Sequence, residues 1–316
     1  MFKLHSQLLN KLVLKKNLYI MKKNILFIAL FICSSMVNAQ DYLDILKVSH
    51  SQATLGNIDT DDETDVSNTN IELYLPIPIT AKAVLLSGFT YENTRLGLNH
   101  SDSRSNLIMT RFNLGVKLNH GNKWSGTYVA LPKLASDFND LGADDFQMGG
   151  IALLEKKYSS RYVLKFGAYV STENFGTTVT PIIGLWYKSK NSKFYVNATL
   201  PIRADVNYSL TNSFSLGANL LTSVKSYNLS EANSDFYVQE ESIRFSAFAA
   251  YGFLDDMLIL RARVGLDTTD YGVYNKNSNS IVQVLTAQIG DERARENSEF
   301  SAAPFVGLDL MFRVDL

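Results

Sequence analysis

The sequence predicts an all-β chain, a transmembrane antiparallel up-and-down β-barrel of fourteen strands, and three observations carry that prediction. Apolar residues recur at every second position, as in Val306, Leu308, Leu310, Phe312, Val314 and Leu316, and alternation of that period is the mark of a strand with one apolar face. Short turns alternate with longer polar connections, as in bacterial barrels with short periplasmic turns and longer external loops. Basic residues gather on the parity opposite the apolar one, where a barrel keeps its lumen. The rival is a soluble β-sandwich whose last stretch is an ordinary edge strand; the asymmetry of the loops argues against it.

The 316 residues carry a formal net charge of −1, so nucleic acid has no electrostatic footprint to bind. Mean hydropathy lies near zero. That is too polar for a helical membrane protein and ordinary for a barrel, in which only alternate residues need be apolar. Residues 21–39 read as a secretory signal: Met21, Lys22 and Lys23 form a charged start, Ile25 to Cys33 an apolar run, and Val37-Asn38-Ala39 a small-residue cleavage pattern. The mature chain then begins at Gln40, and residues 1–20 are an upstream extension from a misplaced start. Cys33 is the one cysteine, so no disulfide or thiol chemistry is expected in residues 40–316. After residue 40 no apolar run approaches the ~20 residues of a helical span.

In chain order, Tyr42 to Thr54 is a weakly patterned first strand and Gly56 to Ser67 an acidic loop. Ile71 to Ile79 and Val84 to Glu92 flank a turn at Thr80-Ala81-Lys82, and Asn93 to Asn106 is a polar loop. Thr110 to Leu118 turns at Asn119 to Asn122 into Trp124 to Leu134. Ser136 to Phe146 is a second acidic loop, and Gln147 to Lys157 and Tyr162 to Thr172 form the next hairpin. Glu173 to Thr178 connects to Val179 to Lys188, and Ser189 to Ser192 turns into Phe194 to Ile202. Ala204 to Leu210 is short and leads through Thr211-Asn212-Ser213 to Phe214 to Tyr227. Asn228 to Tyr237 is a loop; Ile243 to Tyr251 and Leu258 to Leu266 flank the last short turn. Thr268 to Glu299 is the longest loop, in which Ile281 to Ile289 has strand character, and the final strand follows. The two weakest elements, 204–210 and 281–289, leave 12 and 16 as neighbouring counts.

Aromatics mark one end. Trp124, Tyr158, Tyr162, Trp186, Tyr187, Phe194, Tyr208, Phe214, Tyr251 and Phe253 lie near short turns, where a periplasmic girdle would sit at the headgroups. With the apolar faces toward lipid, the expected pore lining is Arg111, Lys117, Lys165, Arg203, Lys225, Arg244, Arg261, Arg263, Asp309 and Arg313. A cation facing lipid at midplane costs ~2–4 kcal/mol, which makes such one-sidedness informative. Two readings stay open: an anion-favouring pore, or a filled barrel whose charges pair with each other. Asp59, Asp61, Asp62, Glu63 and Asp65, and then Asp137, Asp140, Asp144 and Asp145, crowd two external loops with oxygen ligands, yet no spacing is diagnostic of a metal. His100 beside Ser101 has the residue types of a hydrolase but no base–nucleophile geometry, so no catalytic residue, metal ligand or cofactor is assigned.

Three stretches carry a resemblance: Ser136-Asp137 through Asp144-Asp145-Phe146-Gln147-Met148-Gly149-Gly150; Glu173-Asn174-Phe175-Gly176 with Pro181-Ile182-Ile183-Gly184; and Leu200-Pro201 with Asn207-Tyr208-Ser209-Leu210 and Leu216-Gly217. With the signal and last strand they resemble an uncharacterised outer-membrane β-barrel family, a domain of unknown function of Bacteroidota-type Gram-negative bacteria. Gly307, Leu310 and Phe312 also resemble the C-terminal assembly signal of outer-membrane barrels, although Phe305 and Leu316 depart from it. The resemblance implies an outer-membrane barrel and no substrate. The functional expectation is a passive, non-enzymatic pore or small-solute channel with a mildly basic lumen. The alternative is a closed barrel with a structural or surface-adhesion role through its acidic loops. Expected partners are outer-membrane lipid and lipopolysaccharide, the barrel-assembly machinery through the C-terminal strand, and small solutes.

Overall fold

The computed structural model describes residues 42–59, 61–98, 105–230 and 235–315. The signal segment with its cleavage site, the upstream extension, and His100 with Ser101 lie outside the described residues. The strands are β1 (Tyr42–Gly56), β2 (Glu63–Thr80), β3 (Ala83–Leu96), β4 (Ser105–Gly121), β5 (Trp124–Ser136), β6 (Phe146–Ser159), β7 (Tyr162–Glu173), β8 (Gly176–Lys188), β9 (Phe194–Leu200), β10 (Arg203–Ser209), β11 (Phe214–Asn228), β12 (Phe236–Phe253), β13 (Leu258–Asp267), β14 (Asp270–Asn275), β15 (Ile281–Val284), β16 (Ala287–Ile289) and β17 (Ala303–Asp315). Fourteen of them, β1 to β13 and β17, form one closed antiparallel wall. β17 pairs with β13 on one side and with β1 on the other, from Tyr42↔Asp315 to Ala53↔Phe305. Closure leaves no free edge at that seam.

Alternation decides which way each side chain points. On β17, Val306, Leu308 and Leu310 are 60, 56 and 44% exposed, whereas Phe305, Asp309 and Met311 between them are 3, 1 and 1% exposed. The outward set continues around the wall through Ile77, Phe112, Leu114, Phe166, Ile183, Phe245 and Val264, all exposed. An outward apolar band with an inward polar parity is the arrangement lipid demands. Aromatics fringe one end: Tyr251 lies 4.8 Å from Phe253, Tyr158 5.8 Å from Tyr162, and Lys156 sits 4.7 Å over the Trp124 ring. Trp186 is a correction to the expected girdle. It is buried and faces inward, against Tyr195, because neighbouring Tyr187 takes the outward direction.

The loops differ more than the strands. Half of the expected acidic loop 56–67 is strand: β2 begins at Glu63, and Thr54 donates to Asp65 across the ladder at 2.9 Å. β3 likewise runs four residues into the expected loop after Asn93, to Leu96. Beyond the bilayer both faces of a strand are wet, so alternation vanishes while pairing continues. The expected connection Glu173 to Thr178 is a two-residue turn, Asn174-Phe175, with Gly176 opening β8. Expected loop 268–299 carries β14, β15 and β16.

One side of the wall is incomplete. β9 and β10 are seven residues each and join through Pro201-Ile202. β8 therefore finds β9 only from Ile183 onward, and β11 finds β10 only up to Leu221. Above that level β11 leaves the wall and folds inward until Asn228 pairs with Ser136 of β5. β12 follows it, and β14 pairs with β12 over residues 236–241. This inner sheet places Tyr227, Val238, Tyr271 and Val273 against Leu55, Leu96, Leu107 and Met109 of the wall. The external mouth is thereby packed with apolar side chains.

Candidate functional site

Below that packed mouth lies a cavity of about 700 Å³. β2 to β7 supply one wall, with Tyr74, Leu86, Met109, Val129, Ile151 and Tyr169. β11 and β12 supply the other, with Leu221, Val224 and Ile243. Its rim includes Thr178 and Thr180 of β8, the Pro201-Ile202 turn, and Leu285 and Thr286 of the β15–β16 hairpin. The lining is largely aliphatic, with a few polar groups among it, which is the usual make-up of a small-molecule pocket.

The polar groups that hold the roof are specific. Lys133 Nζ meets Glu173 Oε1 at 2.5 Å, and both side chains are buried. Glu173 Oε2 accepts from the Ser226 amide and hydroxyl, each at 2.8 Å. Gln147 donates to the Ser226 carbonyl at 3.1 Å, the Asn174 amide to the Ser226 hydroxyl at 2.7 Å, and Asn228 to Asp145 at 2.7 Å. The bent end of β11 has left its ladder, so these side chains supply the partners its backbone would otherwise lack. Asp137, from the second acidic loop, accepts from the Ser230 amide and hydroxyl at 3.0 and 2.8 Å. Asp137, Asp145 and Asp65 thus tie chain to chain, and among the described residues no three acids or histidines are grouped as metal ligands.

Each residue expected to line the pore has a definite place. Lys225 bridges Glu92 at 2.8 Å and Glu240 at 3.1 Å, and Arg244 lies 2.9 Å from Asp267. Arg263 lies 2.9 Å from Asp309; Arg261 and Arg203 each lie 3.6 Å from Asp205. Arg313 pairs with Asp44 at 2.6 Å and stacks on the Tyr42 ring. Lys117 meets Glu155 at 2.5 Å, and Lys165 donates to Asn197 at 2.7 Å. Arg111 differs. It lines the cavity; its Nε lacks a hydrogen-bond partner, as do those of Arg244, Arg261 and Arg263, but unlike them it has no ion pair with any described residue. Its cross-strand neighbours are Thr90 and Lys133, and Lys133 is already committed to Glu173.

Glu92, Glu240, Lys133 and Glu173 escaped the sequence reading. Glu92 and Lys133 lie at the ends of expected strands, where their own alternation already faces them inward, and Glu173 lies one residue past the expected strand Tyr162 to Thr172. At the external end, Asp291 takes two hydrogen bonds from the Arg293 side chain, both at 2.8 Å, and these hold its carboxyl below the usual carboxylate range.

A closed fourteen-stranded barrel with an apolar outer band and a charged interior is a transmembrane β-barrel of outer-membrane type. The chain belongs to the family defined by a domain of unknown function, DUF6268, which matches residues 47–280. Among solved structures it is similar to the COG4313 outer membrane channel from Pseudomonas putida F1, with 12% identity, TM-score 0.44, and 86% of this chain and 95% of that one covered. It is also similar to the toluene transporter TodX of P. putida, with 10% identity, TM-score 0.37 and coverages of 86 and 88%. OccK7 of Pseudomonas aeruginosa gives 11% identity, TM-score 0.31 and coverages of 86 and 98%. No curated protein matches the sequence.

Proposed function

We propose that this protein is an outer-membrane channel for small solutes, delivered to that membrane by the signal segment ending at Ala39 and assembled through its C-terminal strand. The observation that supports this reading is the cavity of about 700 Å³ inside a closed wall, with the unpaired cation of Arg111 on its surface. Solute passes from the cavity toward the periplasmic end along the inward parity, past Lys117, Lys165, Arg203, Lys225, Arg244, Arg261, Arg263, Asp309 and Arg313. Most of that charge is compensated by acids, so the passage is only mildly basic and its anion preference rests on Arg111. The test is solute uptake by vesicles containing the protein, relative to empty vesicles, for organic anions and amines of matched size. Anions enter faster, and Arg111→Glu reverses the order. No excess flux from a barrel whose insertion is verified by heat-modifiable gel migration would overturn the reading. It would favour a closed barrel acting at the cell surface, for which the packed mouth speaks.

A further inference from the structure

The incomplete side of the wall has a consequence for where solute enters. We propose that the gap between β8 and β11 is a lateral doorway, through which the cavity takes up small carboxylates with an apolar body from the outer leaflet of the bilayer. The proposal rests on the channel reading and names its substrate class.

The first argument is length. A strand needs about 9–11 residues to cross the hydrocarbon, and β9 and β10 have seven. Seven residues at ~3.4 Å rise and ~45° tilt reach about 17 Å, against an apolar band ~25 Å tall. Both strands start from the short-turn end, so the missing wall lies at the external side of the band. β15 covers part of the exposed β8 edge, at Gly176 to Val179, and leaves Thr180 to Ile182 without a wall strand beside them. On the facing edge, Thr222 is bound by its amide to Ile202, and above it β10 offers nothing. Unpaired strand edges do not face lipid unless they line a cavity.

Parity supplies the second argument. On β12, Ile243 points outward, is 45% exposed, and belongs to the apolar band. Its neighbour Arg244 points inward. Both line the same cavity, as does inward-facing Thr180, so the cavity reaches the wall where β8 and β11 part. Outward Ile183 below the gap and Leu285 above it are 62 and 42% exposed, so the opening is framed by apolar groups. The way straight up is filled by the packed core around Tyr227 and Tyr271. A ligand arriving from acyl chains brings an apolar body to aliphatic walls. The anionic end is specified by Arg111, whose fork matches a carboxylate and has no other partner among the described residues.

The test uses cysteines, since Cys33 is the chain's only one and the unmodified protein serves as blank. Protein purified from outer membranes is reconstituted in liposomes and treated with N-hexadecylmaleimide dissolved in the bilayer. Thr180→Cys, inward-facing at the gap, is expected to react at least ~10-fold faster than Ser49→Cys, inward-facing on the complete wall, with outward Ile183→Cys as positive control. Equal rates at positions 180 and 49 overturn the doorway. Calorimetric titration with decanoate then reads the headgroup. Arg111→Gln weakens decanoate binding by about 10-fold, Arg111→Lys by less, and decanol binding stays unchanged. Unchanged decanoate affinity, or a parallel loss for decanol, overturns the carboxylate assignment. Excess solute flux with Thr180→Cys silent to the bilayer reagent overturns the doorway and leaves the channel standing. Labelling at position 180 without flux overturns the channel and leaves a pocket open to lipid.

Discussion

β2, β4 and β12 run 18, 17 and 18 residues, whereas β9 and β10 on the other side of the molecule run seven. On the long side the strands keep ladder partners on both edges, apart from a break beside β5 at Phe112-Asn113, and the side holds one loose interior pair: Lys47 lies 3.8 Å from Glu72, whose side chain is 39% exposed. On the short side the ladder stops, and the job of satisfying β11 passes to buried side chains. The difference teaches that backbone pairing makes a wall insensitive to its individual interior residues. Where pairing is interrupted, a few ionic and amide groups carry the structure instead.

The largest effect should come from breaking that substitution. Lys133→Met leaves the Glu173 carboxylate buried without its cation, which costs about 3–5 kcal/mol. Lys47→Met on the complete side leaves behind Glu72, which is 39% exposed and stays hydrated, and costs about 0–1 kcal/mol. Thermal unfolding followed by gel migration gives both numbers. Amide exchange at Ser226, whose N–H donates to Glu173, should accelerate in the first variant only. The double change Lys133→Met with Glu173→Leu removes the orphan charge and should recover much of the loss. If the single variants at positions 133 and 47 cost the same, the two sides do not differ in the way described.

The complete wall has its own sensitivity, and it lies outside rather than inside. Phe112 and Asn113 are neighbours on β4, with Phe112 53% exposed toward lipid. Phe112→Arg puts a cation into the band at about 2–4 kcal/mol, while Asn113→Arg faces the cavity and costs little. The yield of folded barrel after refolding into vesicles should fall for the first and hold for the second. Equal tolerance would mean the faces are assigned wrongly.

Strand number, closure and the facing of β17 were legible in the sequence because lipid enforces period-2 alternation, and Val306, Leu308 and Leu310 obey it. The inner sheet was not legible. Tyr227, Val238, Tyr271 and Val273 lie in stretches buried on both faces, so alternation fades there; Tyr227 ends its expected strand, and Tyr271 and Val273 fall in an expected loop. The missing wall was visible as the short 204–210 strand, yet a short strand by itself does not say that its neighbours separate. Asp137, Asp145, Gln147, Glu173 and Asn174 all fall within the stretches that carried the family resemblance. Their common role, holding the bent end of β11, is a three-dimensional fact about positions far apart in the chain. Bases gather on one parity, but acids reach the same interior from β1, β3 and β12; among the described lining bases Lys165 has only the Asn197 amide, Arg203 and Arg261 share Asp205, and Arg111 has neither an ion pair nor a hydrogen bond.

A smaller effect sharpens the comparison at the top of the gap. Gly176 opens β8 at φ 130°, and a Cβ there would stand 2.2 Å from the Ile281 carbonyl oxygen. No side chain tolerates that approach, so Gly176→Ala should release β15 from the β8 edge at a cost of about 1–3 kcal/mol. The wall below Ile183 pairs with β9 independently and should stay folded. Hydrogen exchange at the Ile281 amide, which donates to Phe175 at 2.8 Å, reads the release directly. Gly150→Ala is the matched control: its added Cβ would meet the Val129 carbonyl at 3.6 Å, an ordinary contact on the complete wall. Fast exchange at Ile281 in the first variant, with normal gel migration in both, would mean that β15 is a separable lintel over the gap. Loss of the whole barrel would mean instead that β15 substitutes for the missing wall strand, and that the two sides of the molecule are more alike than their strand lengths suggest.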